Sequence, residues 1–369
     1  MRIALFCHSL RSDWNHGNAH FLRGLVAELG ARGHSVTAYE PENSWSAANL
    51  VASYGAAALD EYRSAYPDLP VSVYDPSVVD YAALLDGVDL AIVHEWNEPA
   101  LVAAIGQERR RNPHLRVLFH DTHHRSVTEP ASMARYDLQH YDGVLAFGDS
   151  VREQYLRRGW AKRVWTFHEA ADTRVFYPRR AAQPAGDLVW IGNWGDDERE
   201  AELREFLIDP VRHLHLSAAI YGVRYPDRAL SELRAAGIRY ENFLPNYQAP
   251  DVFAAYRFTV HVPRRPYTEA LPGVPTIRMF EALACGIPLI SAPWNDSEQL
   301  FPEGSYLKAE SGSAMKARMW DLLGDPDLAA TTAARGLESV RARHTCAHRA
   351  DELLGIYSAI QASHVEAAA

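Results

Sequence analysis

The stretch PTIRMFEALACGIP, from Pro275 to Pro288, has one carboxylate, Glu281, inside an apolar run at helical spacing. The turn Pro272-Gly273-Val274-Pro275 opens that helix near Thr276. The N–H groups of Thr276 and Ile277 should then point out of the helix end, where the dipole favours an anion. Arg264 and Arg265 sit just past an apolar strand, and Arg278 lies three residues before Glu281 on neighbouring helix surface. Fixed cations beside an open helix N-terminus suit a phosphate or diphosphate. A carboxylate one turn further in accepts two hydrogen bonds, which a vicinal diol such as ribose supplies. The spacing therefore reads as diphosphate at the helix end and diol on Glu281. The bland alternative is a buried ion pair of Glu281 with Arg278 or Arg264.

Three other groups follow apolar strands. WIGNWGDDERE (190–200) has the layout of a ligand loop, with Asn193 in the loop and Arg199 able to reach an anion. VHEWNEP and FHDTHHRSVTEP bring His94, Glu95, His120, Asp121, His123 and His124 to strand ends. A His or Asp there can accept a proton from a hydroxyl, and Asp121 and His123 are the candidates. The His-x-x-His-His spacing matches no familiar ligand geometry and no cysteine joins it, so no metal is expected. The first strand leads into HSLRSDWNHGNAHF, where His16, Gly17 and Asn18 precede a helix. Small residues there let a ligand approach the backbone; Asn18 as an ordinary helix cap is the competing reading.

The elements that must position these residues alternate strand and helix from the first residues on, as βαβ units do. A small, polar, proline-bearing stretch at 177–187 reads as a linker, after which the alternation restarts. The chain of 369 residues is too long for one core. The expected fold class is α/β, two doubly wound Rossmann-like domains facing a cleft. One spans 1–178, joined by a C-terminal helix over 345–365; the other spans 187–344. Ligands bind at the carboxyl ends of such strands. A net charge of −10 gives no footprint for nucleic acid. Three sparse cysteines suggest reduced thiols and a cytoplasmic location. No apolar run is long enough to cross a membrane, the N-terminus is too short for a signal peptide, and no basic amphipathic helix is evident.

The block RMFEALACGIPLI (278–290) resembles the C-terminal signature of group 1 glycosyltransferases of the GT-B fold, in the form closest to their CgeB-like branch. LGARGHSVTAYEPE (29–42), HEAADTRVFYP (168–178) and IGNWGDDER (191–199) resemble further segments of such enzymes, so the likeness spans about residues 1–345. The resemblance implies a hexosyltransferase-type enzyme with a nucleotide-sugar donor on the C-terminal domain and an acceptor on the N-terminal one. Glu281 would then bind the ribose hydroxyls, and the amides of Thr276 and Ile277 the diphosphate. Arg199 and Arg264 would be cationic partners, and the backbone near Phe243 would meet the base. Many group 1 enzymes carry a second glutamate eight residues before the first, contacting the transferred sugar. This chain has Gly273 there, so the sugar contacts are not inherited.

The expected function is transfer of a sugar from an NDP-sugar to an acceptor hydroxyl or amine, without a metal or other cofactor. The acceptor would be a small molecule, a glycan or a lipid-linked molecule, met by His16, Gly17, Asn18 and Glu95. The donor side would comprise Asn193, Arg199, Arg264, Thr276, Ile277, Arg278 and Glu281. The alternatives are an NDP-sugar epimerase of similar architecture and a non-catalytic nucleotide-sugar-binding protein.

Overall fold

The computed structural model describes residues 1–368, the side chains of the last few excepted. Seven strands form one sheet: β1 (Arg2–Phe6), β2 (Ser35–Pro41), β3 (Val71–Tyr74), β4 (Leu90–His94), β5 (Arg116–Asp121), β6 (Gly143–Ala146) and β7 (Val164–Thr166). Their order is β3-β2-β1-β4-β5-β6-β7, all parallel. Six more form a second parallel sheet: β8 (Gly186–Ile191), β9 (Ala218–Tyr221), β10 (Arg239–Tyr240), β11 (Tyr256–His261), β12 (Leu289–Ser291) and β13 (Leu307–Lys308). Its order is β10-β9-β8-β11-β12-β13. β4 and β5 are buried along their whole length, because helices cover both faces of a parallel sheet. In both sheets the winding reverses beside the first strand, between β1 and β4 and between β8 and β11, and ligand sites form at such points.

The chain divides into two compact units, Met1–Glu169 with the chain from Cys346 onward, and Ala170–Thr345. The first boundary falls ahead of the polar 177–187 stretch, which belongs to the second unit. The Cys346–Ala368 helix returns to the first unit. Arg116 Nη2 donates to Gln361 Oε1 at 2.8 Å, and Arg32 pairs with Asp351. The second unit packs Leu188, Trp190, Phe258, Val260, Ile290 and Met315 into its core. The helical spacing of residues 197–208 predicts one helix there; instead a 3-10 turn (Asp196–Glu198) comes first, and the helix begins at Glu200 and runs through a π-turn (Arg204–Ile208) to Leu214. Gly222 is required where β8 and β9 end. A Cβ there would lie 2.0 Å from the Gly192 carbonyl oxygen.

Candidate functional site

At the reversal point of the second sheet, β11 ends on His261, which is fully buried. Its Nδ1 lies 2.9 Å from Ser291 Oγ at the end of β12, and its Nε2 lies 3.1 Å from Thr276 Oγ1. Ser291 Oγ donates to the Ala292 carbonyl at 2.7 Å, so it accepts from His261 Nδ1–H. Nε2 is then the acceptor of the Thr276 hydroxyl proton. Burial, and then Arg199, push the imidazole down to about 3, consistent with this neutral form. Thr276 is thereby fixed as the N-cap of the Ile277–Ala284 helix, with its side chain turned to His261 instead of capping the amides. The helix starts one residue later than expected. The amides lacking helical acceptors begin at Ile277, followed by Arg278, while Met279 N–H reaches the Thr276 carbonyl at 3.0 Å.

Arg199 lies in the same network. Its guanidinium donates to the carbonyls of Val262 (3.2 Å), Trp194 (3.4 Å) and Asn193, tying the loop after β8 to the end of β11. It stands over the Trp190 ring, 4.9 Å from the centroid. Only 9% of Arg199 is exposed, and no carboxylate pairs with it among the described residues. Burial, and then the charges of Arg264 and Arg278, lower it to about 9. Asn193 Oδ1 accepts from Val223 N at 3.0 Å, which joins the β8 and β9 loops. Arg264 pairs with Glu198 at 2.7 Å and Arg265 with Glu202 at 3.1 Å.

Glu281 is completely buried and pairs with Arg278. The carboxylate therefore takes the ion pair that was the competing reading. The seven donor-side candidates thus fall in one region: Asn193, Arg199, Thr276, Ile277, Arg278 and Glu281 through the contacts above, and Arg264 through its charge on Arg199. His261 and Ser291 escaped the sequence reading. A histidine ending the strand at a reversal point was the available signal. Glu298 escaped it too. Gly273 has φ +84°, and a Cβ there would lie 2.4 Å from Glu298 Oε1. A carboxylate from another loop thus occupies the space beside the missing glutamate.

The first sheet assembles a different set. Glu95 is buried; its Oε1 accepts from Thr122 N (2.9 Å) and Oγ1 (3.2 Å), and its Oε2 from Arg125 Nη2 (2.8 Å). His94 Nε2 lies 3.1 Å from Thr122 Oγ1, and Asn18 Nδ2 donates to the same hydroxyl at 2.5 Å. The Asn18 side chain thus crosses to β5 and does not cap its own helix. His16 is buried in edge contact with His94, and Gly17 beside it is half-buried. Asp121 is buried too, accepting from Tyr155 OH at 2.7 Å and His123 N at 3.0 Å. Burial, and then Glu95, push its carboxyl well above the usual range. His123 is half-buried, its ring 5.0 Å from that of Trp96. Of the two base candidates, only His123 stands where a ligand can reach it. Among the described residues no three His, Cys, Asp or Glu side chains group as a metal site, and no helix is long and apolar enough to cross a membrane.

Residues 199–355 match the family model described as glycosyl transferase-like. No curated protein sequence matches the chain. Among solved structures, sucrose-phosphate synthase from Thermosynechococcus elongatus aligns at 16% identity and TM-score 0.64, over 98% of this chain and 100% of that one. Anabaena HepE, solved with UDP and glucose, aligns at 13% identity and TM-score 0.67, over 97% and 100%. An alpha-glucosyltransferase, solved with UDP and a DNA containing an HMU base, aligns at 13% and TM-score 0.71, over 97% and 99%. At these identities the likeness is one of fold. What they share with this chain is the fold, two parallel α/β sheets, and the family-model match is confined to the second half of the sequence.

Proposed function

We propose that the protein transfers a sugar from a nucleoside-diphosphate sugar, with UDP as the nucleotide, to an acceptor hydroxyl or amine. The observation that carries this reading is Arg199, a buried cation with no carboxylate, networked to an open helix N-terminus with Glu281 one turn inside. A charge held out of water is costly unless an opposite charge meets it. A diphosphate at the Ile277 and Arg278 amides supplies that charge. Arg199, Arg264 and the helix end then stabilise the negative charge that grows on the leaving diphosphate, the role a metal plays elsewhere. Glu281 takes the ribose diol, with Arg278 turning from the carboxylate towards the phosphates. The neighbours solved with UDP support the choice of base.

On the transferred sugar, Glu298 stands in for the glutamate missing at Gly273. On the acceptor side, His123 accepts the hydroxyl proton. Asp121 holds the His123 backbone and Tyr155 and takes no proton from the acceptor. The CgeB-like form of the 278–290 block supports membership of that branch, and a cytoplasmic setting fits its buried free thiols.

The test is UDP release from a panel of UDP-sugars, with and without added acceptors. Acceptor-dependent UDP release that Arg199→Ala lowers at least tenfold in kcat/KM supports the reading. Isomerised UDP-sugar without UDP release would identify an epimerase. Tight UDP binding without turnover of any donor would leave only a binding protein.

A further inference from the structure

The acceptor-side end of the first sheet carries aromatic rings that nothing above uses. Trp45 is 47% exposed and Trp96 40% exposed. They belong to one chain of contacts across the ends of β2, β1, β4 and β5. Trp14 meets Trp45 at 5.1 Å, Trp45 meets His8 at 6.4 Å, His8 meets His16 at 5.5 Å, and His16 meets His94 at 6.2 Å. Trp96 N–H reaches towards His94 Nδ1 at 3.5 Å, and the Trp96 ring meets His123 at 5.0 Å. Trp96 is held from one side by the Arg125 guanidinium, 4.1 Å from its centroid, and Glu95 fixes that guanidinium in turn. The indole is thus held in place while 40% of it stays exposed.

The same end is closed to anions. The loops after β1, β2, β4 and β5 contain one cation, Arg11, and Arg125 opens the helix that follows. Arg11 is paired with Glu40 at 3.1 Å and Arg125 with Glu95 at 2.8 Å. Arg23 beneath them is paired with Asp13 at 2.9 Å. Burial lowers His8, His16, His94 and His120, so their rings are neutral near pH 7. The exposed charges on these loops, Glu42 and Glu98, are negative. An indole face flanked by neutral imidazoles suits a ring with apolar C–H faces and a hydroxyl rim. It gives a phosphate, a carboxylate or a nucleic-acid backbone nothing to pair with.

We propose that the acceptor is a neutral saccharide or glycoside, stacked on Trp96 and Trp45, and that phosphorylated sugars and nucleic acid are excluded. The proposal rests on the transferase reading only for the word acceptor; the saccharide site itself stands or falls separately. Its test therefore uses binding without donor. Tryptophan fluorescence of the full chain is followed on titration with maltose, cellobiose and lactose, with glucose 6-phosphate, and with a short DNA duplex. Saturable quenching by at least one neutral disaccharide below about 10 mM, insensitive to salt, is expected. Trp96→Ala should weaken it at least fivefold and Trp45→Ala at least twofold. Trp320→Ala, an indole 67% exposed on the second unit, should leave it unchanged. Circular dichroism confirms that each variant is folded, and Trp96→Phe, which keeps a ring face, should retain most of the affinity. Tighter binding of glucose 6-phosphate or DNA, weakening with salt, would overturn the proposal. So would the absence of saturable quenching by every disaccharide, or equal loss in Trp320→Ala. Failure of UDP to bind, with saccharide binding intact, would count against the donor reading alone.

Discussion

In the unit built on β1–β7, Arg11, Arg23 and Arg125 each meet a carboxylate that is itself fully buried: Glu40, Asp13 and Glu95. In the unit built on β8–β13, Arg199 is as deeply placed and meets only carbonyls. The two sheets have the same strand order up to their sixth strand, and each gathers its polar residues at the same reversal point. What differs is whether charge is balanced within the fold. Where it is, the loops are set for a neutral ligand. Where it is left open, Arg199 is the charge that a diphosphate would balance under the proposed function.

Four experiments break or sharpen that contrast. The largest effect concerns closed pairs, which should behave alike in both units. Glu95→Ala and Glu281→Ala each remove the buried carboxylate of an ion pair and should cost about 3–5 kcal/mol in urea unfolding. A Glu281→Ala protein of near-normal stability would mean that its pair with Arg278 is not a buried one. Next comes the open charge. Arg199→Met should weaken UDP binding by about 2–3 kcal/mol in calorimetric titration. The stability of the free protein should move by less than about 1 kcal/mol, because the substitution also removes a desolvated cation. A large stability loss with unchanged UDP affinity would make Arg199 a purely structural tie.

The acceptor side gives an effect of similar size in rate. His123→Gln should lower turnover about 100-fold at saturating donor, and Asp121→Asn less than tenfold. The reverse order would move the base to Asp121. The smallest effect is a pH dependence. Arg199 lies near 9, well below the ordinary guanidinium value. Between those values the folded chain binds fewer protons than the unfolded one. The Arg199 contribution to stability therefore rises with pH across that window. UDP binding favours the charged form and should weaken across it. The thermal shift given by UDP should be smaller at about pH 10 than at about pH 8. An unchanged shift would place the diphosphate away from Arg199.

Much of this was legible in the sequence because it depends on local spacing. The Thr276–Glu281 segment contains its own helix start, cation and carboxylate, and the structure keeps them in one turn and a half. The α/β alternation followed from apolar strands ending in polar loops. What stayed hidden depends on distant residues. No pattern near Gly273 announces Glu298, and no pattern near Thr276 announces that His261 and Ser291 will take its hydroxyl. Asn18 looked like a helix cap because caps are local, yet its amide group crosses to Thr122. The late start of the helix at Glu200 was equally unreadable. Residues 197–208 repeat at helical spacing, while Arg199 stays outside the helix and reaches the β11 end.

The account rests most heavily on a diphosphate site in the second unit. Its most direct test is thermal stabilisation by UDP, dTDP, GDP, ADP and CDP, on the natural chain and on Glu281→Gln, which keeps the size of the side chain. UDP at about 100-fold excess over its Kd should raise Tm by roughly 5–10 °C. The other nucleotides should do less, and the variant should lose most of the shift. If no nucleoside diphosphate moves Tm in the natural chain, Arg199, Thr276 and Glu281 are packing residues and the donor site does not exist.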